Sequence, residues 1–281
     1  MTFTKKDIID YYEKSEISFK LVWDLKHSMA IHYGYSDDKV KTFRQSLMRF
    51  NEVLAEQVGI IRNDHVFDAG CGVGGSSIYM AKHFGCRVKG ATICPHQTRA
   101  AKRNAIKHGV DMLVGFYETD YCNTGFKDES FTVVWGLESI CYAEDKAAFI
   151  NEAFRLLRRG GRLIVADGFA SKESYQGDEQ KIMRRYLDGW AVNTIDTPNT
   201  FKKYAEKAGF RNMSYRNITR HVLPSSRKMF CFSVPAMILA KVQYALGVIS
   251  LLEAKHSVTL YNQHKALKKG LWQYGIFYAE K

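Results

Sequence analysis

The sequence predicts an α/β fold, a mostly parallel sheet with helices on both faces and helical lid elements at its ends. Three observations predict it. Short strands alternate with amphipathic helices from residue 65 to residue 166, the pattern of a parallel sheet buried on both sides. The first of these strands, Val66-Phe67-Asp68-Ala69, stops at a glycine-rich run, Gly70-Cys71-Gly72-Val73-Gly74-Gly75, that leads into a helix. Two later strands, near 210–218 and 273–279, complete the sheet.

Taken in order, residues 1–60 read as helices. Ile8, Ile9 and Tyr12, and then Leu47, Phe50, Val53 and Leu54, recur at spacings of three and four, with an irregular aromatic stretch from Trp23 to Tyr35 between them. Strands are expected at 65–69, 87–92, 112–117, 131–136 and 161–166, and helices at 75–84, 95–108 and 145–158. Gly160-Gly161 reads as the turn between the last helix and its strand. A helix at about 198–208 closes with Gly209. Two segments fall outside the alternation: 170–196, polar and helical, and 228–253, long and apolar. Pro235, Lys241, Gln243, Gly247 and Glu253 interrupt the second. A spanning helix needs about 20 largely apolar residues, so this segment reads as a lid over an apolar site that touches membrane. The expected division is a helical N-terminal lid (1–60) and a core (61–281) with cap insertions at about 170–196 and 228–253. There is no internal repeat or low-complexity segment.

Composition is that of an ordinary globular protein, 46% hydrophobic and 25% charged with four prolines in 281 residues. The six cysteines (71, 86, 94, 122, 141, 231) show no CxxC pair, so no metal site is expected. Met1-Thr2-Phe3-Thr4-Lys5-Lys6 has no signal-peptide pattern, and a reduced, cytoplasmic setting is expected. The net charge of +12 invites an acidic partner: nucleic acid, an anionic membrane surface or a phosphorylated substrate. The basic residues are scattered rather than gathered in one run, as on a solvated basic surface.

The glycines are spaced GxGxG behind an acid, at Gly70, Gly72 and Gly74, and not as the dinucleotide GxGxxG. A glycine turn after a strand is shared by NAD(P) folds, so the turn alone leaves the nucleotide open. Asp68 would repel a pyrophosphate but can bind an ammonium group. Asp120, after the third strand, can accept from the exocyclic amine of an adenine. The fourth strand, Val133-Val134-Trp135-Gly136-Leu137-Glu138, ends with a carboxylate at its tip, where ligands of open α/β sheets sit.

On these residues the chain resembles the class I S-adenosylmethionine (SAM) methyltransferases. The resemblance implies a Rossmann-like, seven-stranded fold and SAM as cofactor. It implies Asp68 and the Gly70–Gly74 backbone at the methionine part, with Cys71 packed beside the ligand, and Asp120 with Tyr121 at the adenine. The second strand lacks the usual ribose-binding acid at its end. Gly90-Ala91-Thr92-Ile93-Cys94-Pro95-His96-Gln97 is similar instead to the Gly-x-Thr-Leu-Ser-x-x-Gln stretch of tocopherol and cyclopropane-forming methyltransferases. That implies Thr92, the Ile93 backbone and Gln97 at the ribose, and Tyr33 at the SAM carboxylate.

Glu138-Ser139-Ile140-Cys141-Tyr142-Ala143 is similar to a stretch of sterol and geranyl diphosphate C-methyltransferases. Tyr11, Tyr12, Trp23 and His32-Tyr33-Gly34-Tyr35 resemble their aromatic substrate lid, and His221–Ser225 with Leu271–Tyr274 resemble the tocopherol and sterol branch. The implied reaction is methylation of an alkene carbon in a small hydrophobic substrate of terpenoid, sterol or prenyl type, the basic charge leaving room for a diphosphate head. Such an alkene becomes a carbocation, which aromatic faces and a carboxylate stabilise before it loses a proton. Glu138 and Tyr142 are the catalytic candidates, with Tyr11, Trp23 and His32 in the substrate pocket. Three other readings stay open. An O- or N-methyltransferase of a small phenol or amine would use His32, His96 or His221 as base. A nucleic-acid methyltransferase would carry an Asn/Asp-Pro-Pro-Tyr motif after the fourth strand or a nucleophilic cysteine beside proline; neither stands here in the required place, so no nucleic-acid partner is expected. A non-enzymatic SAM-binding protein at a membrane is the last.

Overall fold

The computed structural model describes residues 2–15, 19, 22–23, 25–247 and 258–281. Strands β1 (His65–Ala69), β2 (Arg87–Thr92), β3 (Val114–Glu118), β4 (Phe131–Leu137), β5 (Leu157–Ala170), β6 (Arg211–Asn217) and β7 (Trp272–Glu280) form one sheet, ordered β3-β2-β1-β4-β5-β7-β6. The pairs from β3 across to β5 are parallel, and β7 runs antiparallel to both β5 and β6. This is the strand order of the class I methyltransferase Rossmann-like fold. Phe67, Phe131 and Trp135 are fully buried in it. From β1 the chain winds outward through β2 to β3, then returns to β4 on the other side of β1. That reversal opens a crevice beyond the carboxyl ends of β1 and β4. Asp68 pairs in register with Gly90 on one side and Trp135 on the other, so it stands at the head of the crevice.

Helices α1 (Lys5–Lys14), α2 (Leu25–Ser28) and α3 (Phe43–Val58) precede the sheet, and α4 (Gly75–Phe84), α5 (Pro95–Lys107) and α6 (Lys146–Leu156) cross over it. Capping boxes start two of them, Thr4 with Asp7 at α1 and Thr42 with Gln45 at α3. Tyr11, Trp23, Leu47 and Phe50 share one buried cluster with Val66, Val133, Trp135 and Trp272 of the sheet. Each such side chain contributes roughly 1.5–3 kcal/mol on burial, which ties the N-terminal helices to the sheet.

Helices α7 (Gly177–Gly189), α8 (Pro198–Ala208), α9 (Thr219–Ala245) and α10 (Thr259–Lys268) complete the chain. Four expectations shift. The third strand starts at Val114, because the Leu113 N–H turns back to the Val110 carbonyl. Gly160-Gly161 lies within β5 and not in a turn ahead of it, and both glycines bond to Lys281. The segment 170–196 is helical over Gly177–Gly189 alone. The apolar segment belongs to α9, which begins at Thr219 and runs through Pro224 and Pro235; its expected end, 248–253, lies outside the described residues. No described helix is long and apolar enough to cross a membrane.

Candidate active site

A cavity of about 420 Å³ opens at the carboxyl ends of β1, β2 and β4, a size that suits a cofactor-scale ligand. Its floor is the glycine turn. Gly70 has φ +89°, and a Cβ there would run into Ser139. The Gly70 and Cys71 N–H groups donate to the Ala91 carbonyl at 3.0 and 2.8 Å, locking β1 to β2 at the turn. Gly72 has φ +52° and open space around its Cα, so its backbone lies bare on the cavity wall. Gly74 stands back from the cavity against Phe116 and Ala101, and Gly75 lines the wall in its stead.

The acid ahead of the turn is buried. Asp68 accepts from the Ser77 hydroxyl at 2.6 Å, and burial pushes its carboxyl up to about 6. Burial also raises the Cys71 thiol well above its ordinary range, so it stays protonated. At the end of β2, Thr92 donates to Gln97 Oε1 at 2.8 Å and accepts from the Cys94 N–H at 3.2 Å, with Ile93 between them on the wall. Gln97 is buried, held inward by that bond. Asp120 lines the opposite wall with Lys5 Nζ at 2.6 Å; burial raises its carboxyl, and the bonds from Lys5 and the Cys122 N–H outweigh that and hold it low. The Tyr121 hydroxyl donates to the Ser139 carbonyl at 2.7 Å.

Glu138 sits one residue past β4 at φ +49°. Its Oε1 accepts from the Tyr33 N–H at 2.6 Å and the Tyr274 hydroxyl at 2.7 Å. Burial drives its carboxyl up to about 8 against the pull of those two donors. It faces both the main cavity and a second, smaller one of about 60 Å³. Aromatic rings surround the second: Tyr12, Trp23, Tyr142, Trp190, Trp272 and Tyr274. Asp167 stands there too, accepting from the Cys141 and Gly168 N–H groups at 2.9 and 2.8 Å, with its carboxyl raised by burial. The buried Lys146 ammonium donates to the Ala143 and Thr194 carbonyls, each at 2.8 Å, and pins the Tyr142 turn to the loop after α7.

The predicted residues separate accordingly. Asp68, Gly70, Cys71, Gly72, Thr92, Ile93, Gln97, Asp120 and Tyr121 line the main cavity with Glu138, Tyr142 and His32. Tyr33 is not among the residues lining the main cavity; it lines the second, its ring tilted on Trp272 and edge-on to Tyr274. Tyr11 lines neither cavity, since α1 turns it onto Phe19 and Trp190 and brings Tyr12 to both walls. Trp23 lines the second cavity and donates to the His32 carbonyl at 2.9 Å. Burial lowers His32 to about 4, and its Nδ1 bonds the Tyr33 carbonyl at 2.6 Å. His96 and His221 line neither cavity; His221 stacks on Tyr35. Of the described residues of the expected lid at 228–253, none lines the main cavity and Met229 alone reaches the smaller one.

Sequence reasoning missed Ser77 and Asp167, and it named Ser139 and Tyr274 only within longer stretches, without a site role. Asp167 had a signal, an acid near the carboxyl end of a parallel strand beside a predicted crevice. Nothing in the Leu271–Tyr274 stretch signalled the Tyr274 bond to Glu138, because Tyr274 comes from the antiparallel β7, 136 residues from Glu138. The expected room for a diphosphate head shows no basic clamp among the described residues: of those lining the two cavities, Lys5 is the one Lys or Arg, and Asp120 already holds it. Among the described residues no group of three or more His, Cys, Asp or Glu is placed to hold a metal ion.

Residues 67–165 match a family described as a methyltransferase domain. The chain is 32% identical over 198 residues to the 27-O-demethylrifamycin SV methyltransferase of Amycolatopsis mediterranei (strain S699), covering 70% of this chain and 72% of that one. It is 26% identical to the chloroplastic tocopherol O-methyltransferase of Arabidopsis thaliana, over 99% of this chain and 82% of that one. Relatives named for N- and C-methylation match as well. In fold it superposes on a geranyl diphosphate methyltransferase solved with GPP and sinefungin, with a TM-score of 0.76 at 19% identity over 98% of each chain.

Proposed function

The chain belongs to the class I SAM-dependent methyltransferases of small molecules, and from that premise we propose that it methylates an alkene carbon of an uncharged, hydrophobic acceptor. Bound in the main cavity, SAM supplies an electrophilic methyl group on a sulfonium. The lining supports its placement there. Five carboxyl groups, Asp68, Asp120, Glu138, Glu144 and Asp145, line the cavity against Lys5, the one Lys or Arg among the described lining residues, a field that favours a cationic ligand. On this reading Asp68 and the bare backbone at Gly72 hold the methionine part, Thr92, Ile93 and Gln97 the ribose, and Asp120 with Tyr121 the adenine.

The observation that carries the acceptor reading is Glu138 at the junction of the two cavities, buried, with aromatic rings around the smaller one. When an alkene takes the methyl group, the methyl–sulfur bond breaks with its electron pair left on a neutral thioether, and the positive charge falls on the neighbouring alkene carbon. A cation over an aromatic face gains roughly 0.5–2 kcal/mol, more where water is excluded. Tyr12, Tyr142 and Trp190 supply such faces, and the Glu138 carboxylate takes the proton whose loss restores the alkene. Asp167, on the far wall, adds a second negative charge. The absence of a basic clamp in the lining favours an acceptor without a diphosphate.

Labelled-methyl transfer from SAM to a panel of terpenoids, sterols and prenylquinones tests the reading. Turnover on an alkene carbon is expected, and Glu138→Gln is expected to keep SAM binding while losing about a hundredfold or more in kcat. Unchanged turnover in that variant removes Glu138 from the mechanism. The second reading, O- or N-methylation of a small phenol or amine, rests on His32, a neutral imidazole on the wall of the main cavity. Methyl transfer to a phenol or amine, abolished by His32→Ala and retained by Glu138→Gln, would favour it.

A further inference from the structure

We propose that the outer face of α9 docks on an anionic lipid bilayer. Among the described residues, twelve large apolar side chains are markedly exposed, and seven of them lie between Phe232 and Leu246. The helix is buried along one narrow seam, Ser226, Met229, Ser233 and Ala240, at helical spacings of three, four and seven. Phe232, Ile238, Leu239, Val242 and Leu246 fall on the side away from that seam, and Ile238 and Leu246 are 64% and 72% exposed. A contiguous apolar face of this kind marks an interaction surface. Scattered single exposures elsewhere on the molecule do not.

Charge selects the occupant. Residues 219–247 hold four Lys or Arg and residues 258–271 hold three, and neither stretch contains an Asp or Glu. The two helices pack on each other, and Arg227 of α9 and Lys268 of α10 both lie close to His264, so basic residues of the two helices gather where they meet. The Lys228 ammonium lies over the Phe43 ring at 4.2 Å and near Phe232 at 5.9 Å, a cation at the rim of the apolar strip. An apolar face bordered by Lys and Arg with no acid matches an interfacial helix at anionic headgroups. A second copy of this chain would bring the same positive charge to the contact. Pro235 and the flanking cations suit a helix lying in the headgroup plane, and no described helix spans a membrane. The same pair reaches inward, Met229 of α9 and Gln263 of α10 lining the smaller cavity, so docking brings the acceptor side of the protein to the bilayer.

The test is co-sedimentation of the full chain with vesicles of phosphatidylglycerol and phosphatidylcholine against phosphatidylcholine alone. Binding to the anionic vesicles, weakened by salt, is expected, and Ile238→Glu with Leu239→Glu should lower it about tenfold or more. Both side chains are solvent-exposed, and unchanged SAM affinity and melting temperature in the double variant verify that the fold is intact. Lys265→Glu with Lys268→Glu should weaken binding to anionic vesicles while leaving the apolar strip in place. Equal binding to both vesicle types, no binding, or a solution dimer dissolved by Ile238→Glu would overturn the proposal. Vesicle binding is read without turnover, so its failure leaves the acceptor reading standing.

Discussion

Glu138 combines a left-handed backbone angle, a buried carboxylate and two hydrogen-bond donors. Its carboxyl is pushed up to about 8 from an ordinary value of 4.5, so the folded chain holds this proton more tightly than the unfolded chain. The sign follows by linkage. The contribution to stability is complete below about pH 4.5, falls across the interval and is lost as pH rises through about 8. Above that, the fold carries an ionised, desolvated carboxylate, at a cost on the order of a few kcal/mol. Glutamine can accept both donors and cannot ionise. Glu138→Gln is therefore expected to be more stable than the parent at pH 9, by about 1–3 kcal/mol in urea titrations, and no more stable at pH 4. Equal stability of the two proteins at pH 9 would show that the site does not desolvate this group. The same ionisation should shape kcat/KM, rising with pH toward about 8 in the parent, whereas any activity left in Glu138→Gln should lack that limb.

At the scale of elements, the glycine turn divides its work between folding and binding. Gly70 needs φ +89° and has Ser139 where a Cβ would go, whereas Gly72 needs φ +52° and has open space. Gly70→Ala should lower the melting temperature strongly, by overpacking that costs about 1–3 kcal/mol on top of the backbone penalty. Gly72→Ala should cost the fold about 1 kcal/mol yet weaken SAM binding about tenfold by setting a methyl on the cavity wall. Calorimetry and SAM titration of both variants check this, and a Gly72→Ala protein with parental SAM affinity would move the ligand off that turn. The turn was legible because its signals are local: an apolar strand, an acid and glycines at fixed offsets. The parallel strands and the helix at 198–208 were legible for the same reason, through periodicity and caps. Tyr274 was not, since only the antiparallel return of β7 carries it to Glu138. Nor was the exchange of Tyr12 for Tyr11, because a one-residue rotation of α1 decides which ring faces the cavity and the apolar spacing fits both. The apolar lid expected from 228–253 does not reach the main cavity with its described residues, and the reason is physical as well. Most of the large apolar residues of α9 between Phe232 and Leu246 are on its exposed face rather than its buried seam, and apolar content alone does not say which face of a helix packs inward.

Across the whole molecule, the main cavity is closed by residues far apart in the chain. Phe3, Lys5, Ile8 and Tyr12 of the N-terminal segment form one wall, opposite the glycine turn and the β4 tip. Lys5 reaches Asp120 through an ion pair whose lysine is 61% exposed, and such pairs contribute about 0–1 kcal/mol. The Phe3 backbone bonds Asn193 in both directions, at 2.7 and 2.9 Å, which joins this wall to the loop that Lys146 anchors. Beyond the buried Ile8 and Tyr11, these polar contacts are partly exposed, so the N-terminal wall opens more readily than the sheet. A ligand beneath it would tie it down. At a hundredfold excess over Kd, SAM should stabilise the protein by about 2.7 kcal/mol and raise Tm by about 4–5 °C. Hydrogen exchange should localise the effect, with amides of residues 3–12 slowing more on SAM binding than those of β5 or α8, which lie away from the cavity. Tyr12→Ala should reduce that protection while leaving the sheet amides slow. If residues 3–12 exchange equally with and without saturating SAM, the N-terminal helix is a fixed part of the scaffold and acceptors must enter by another wall.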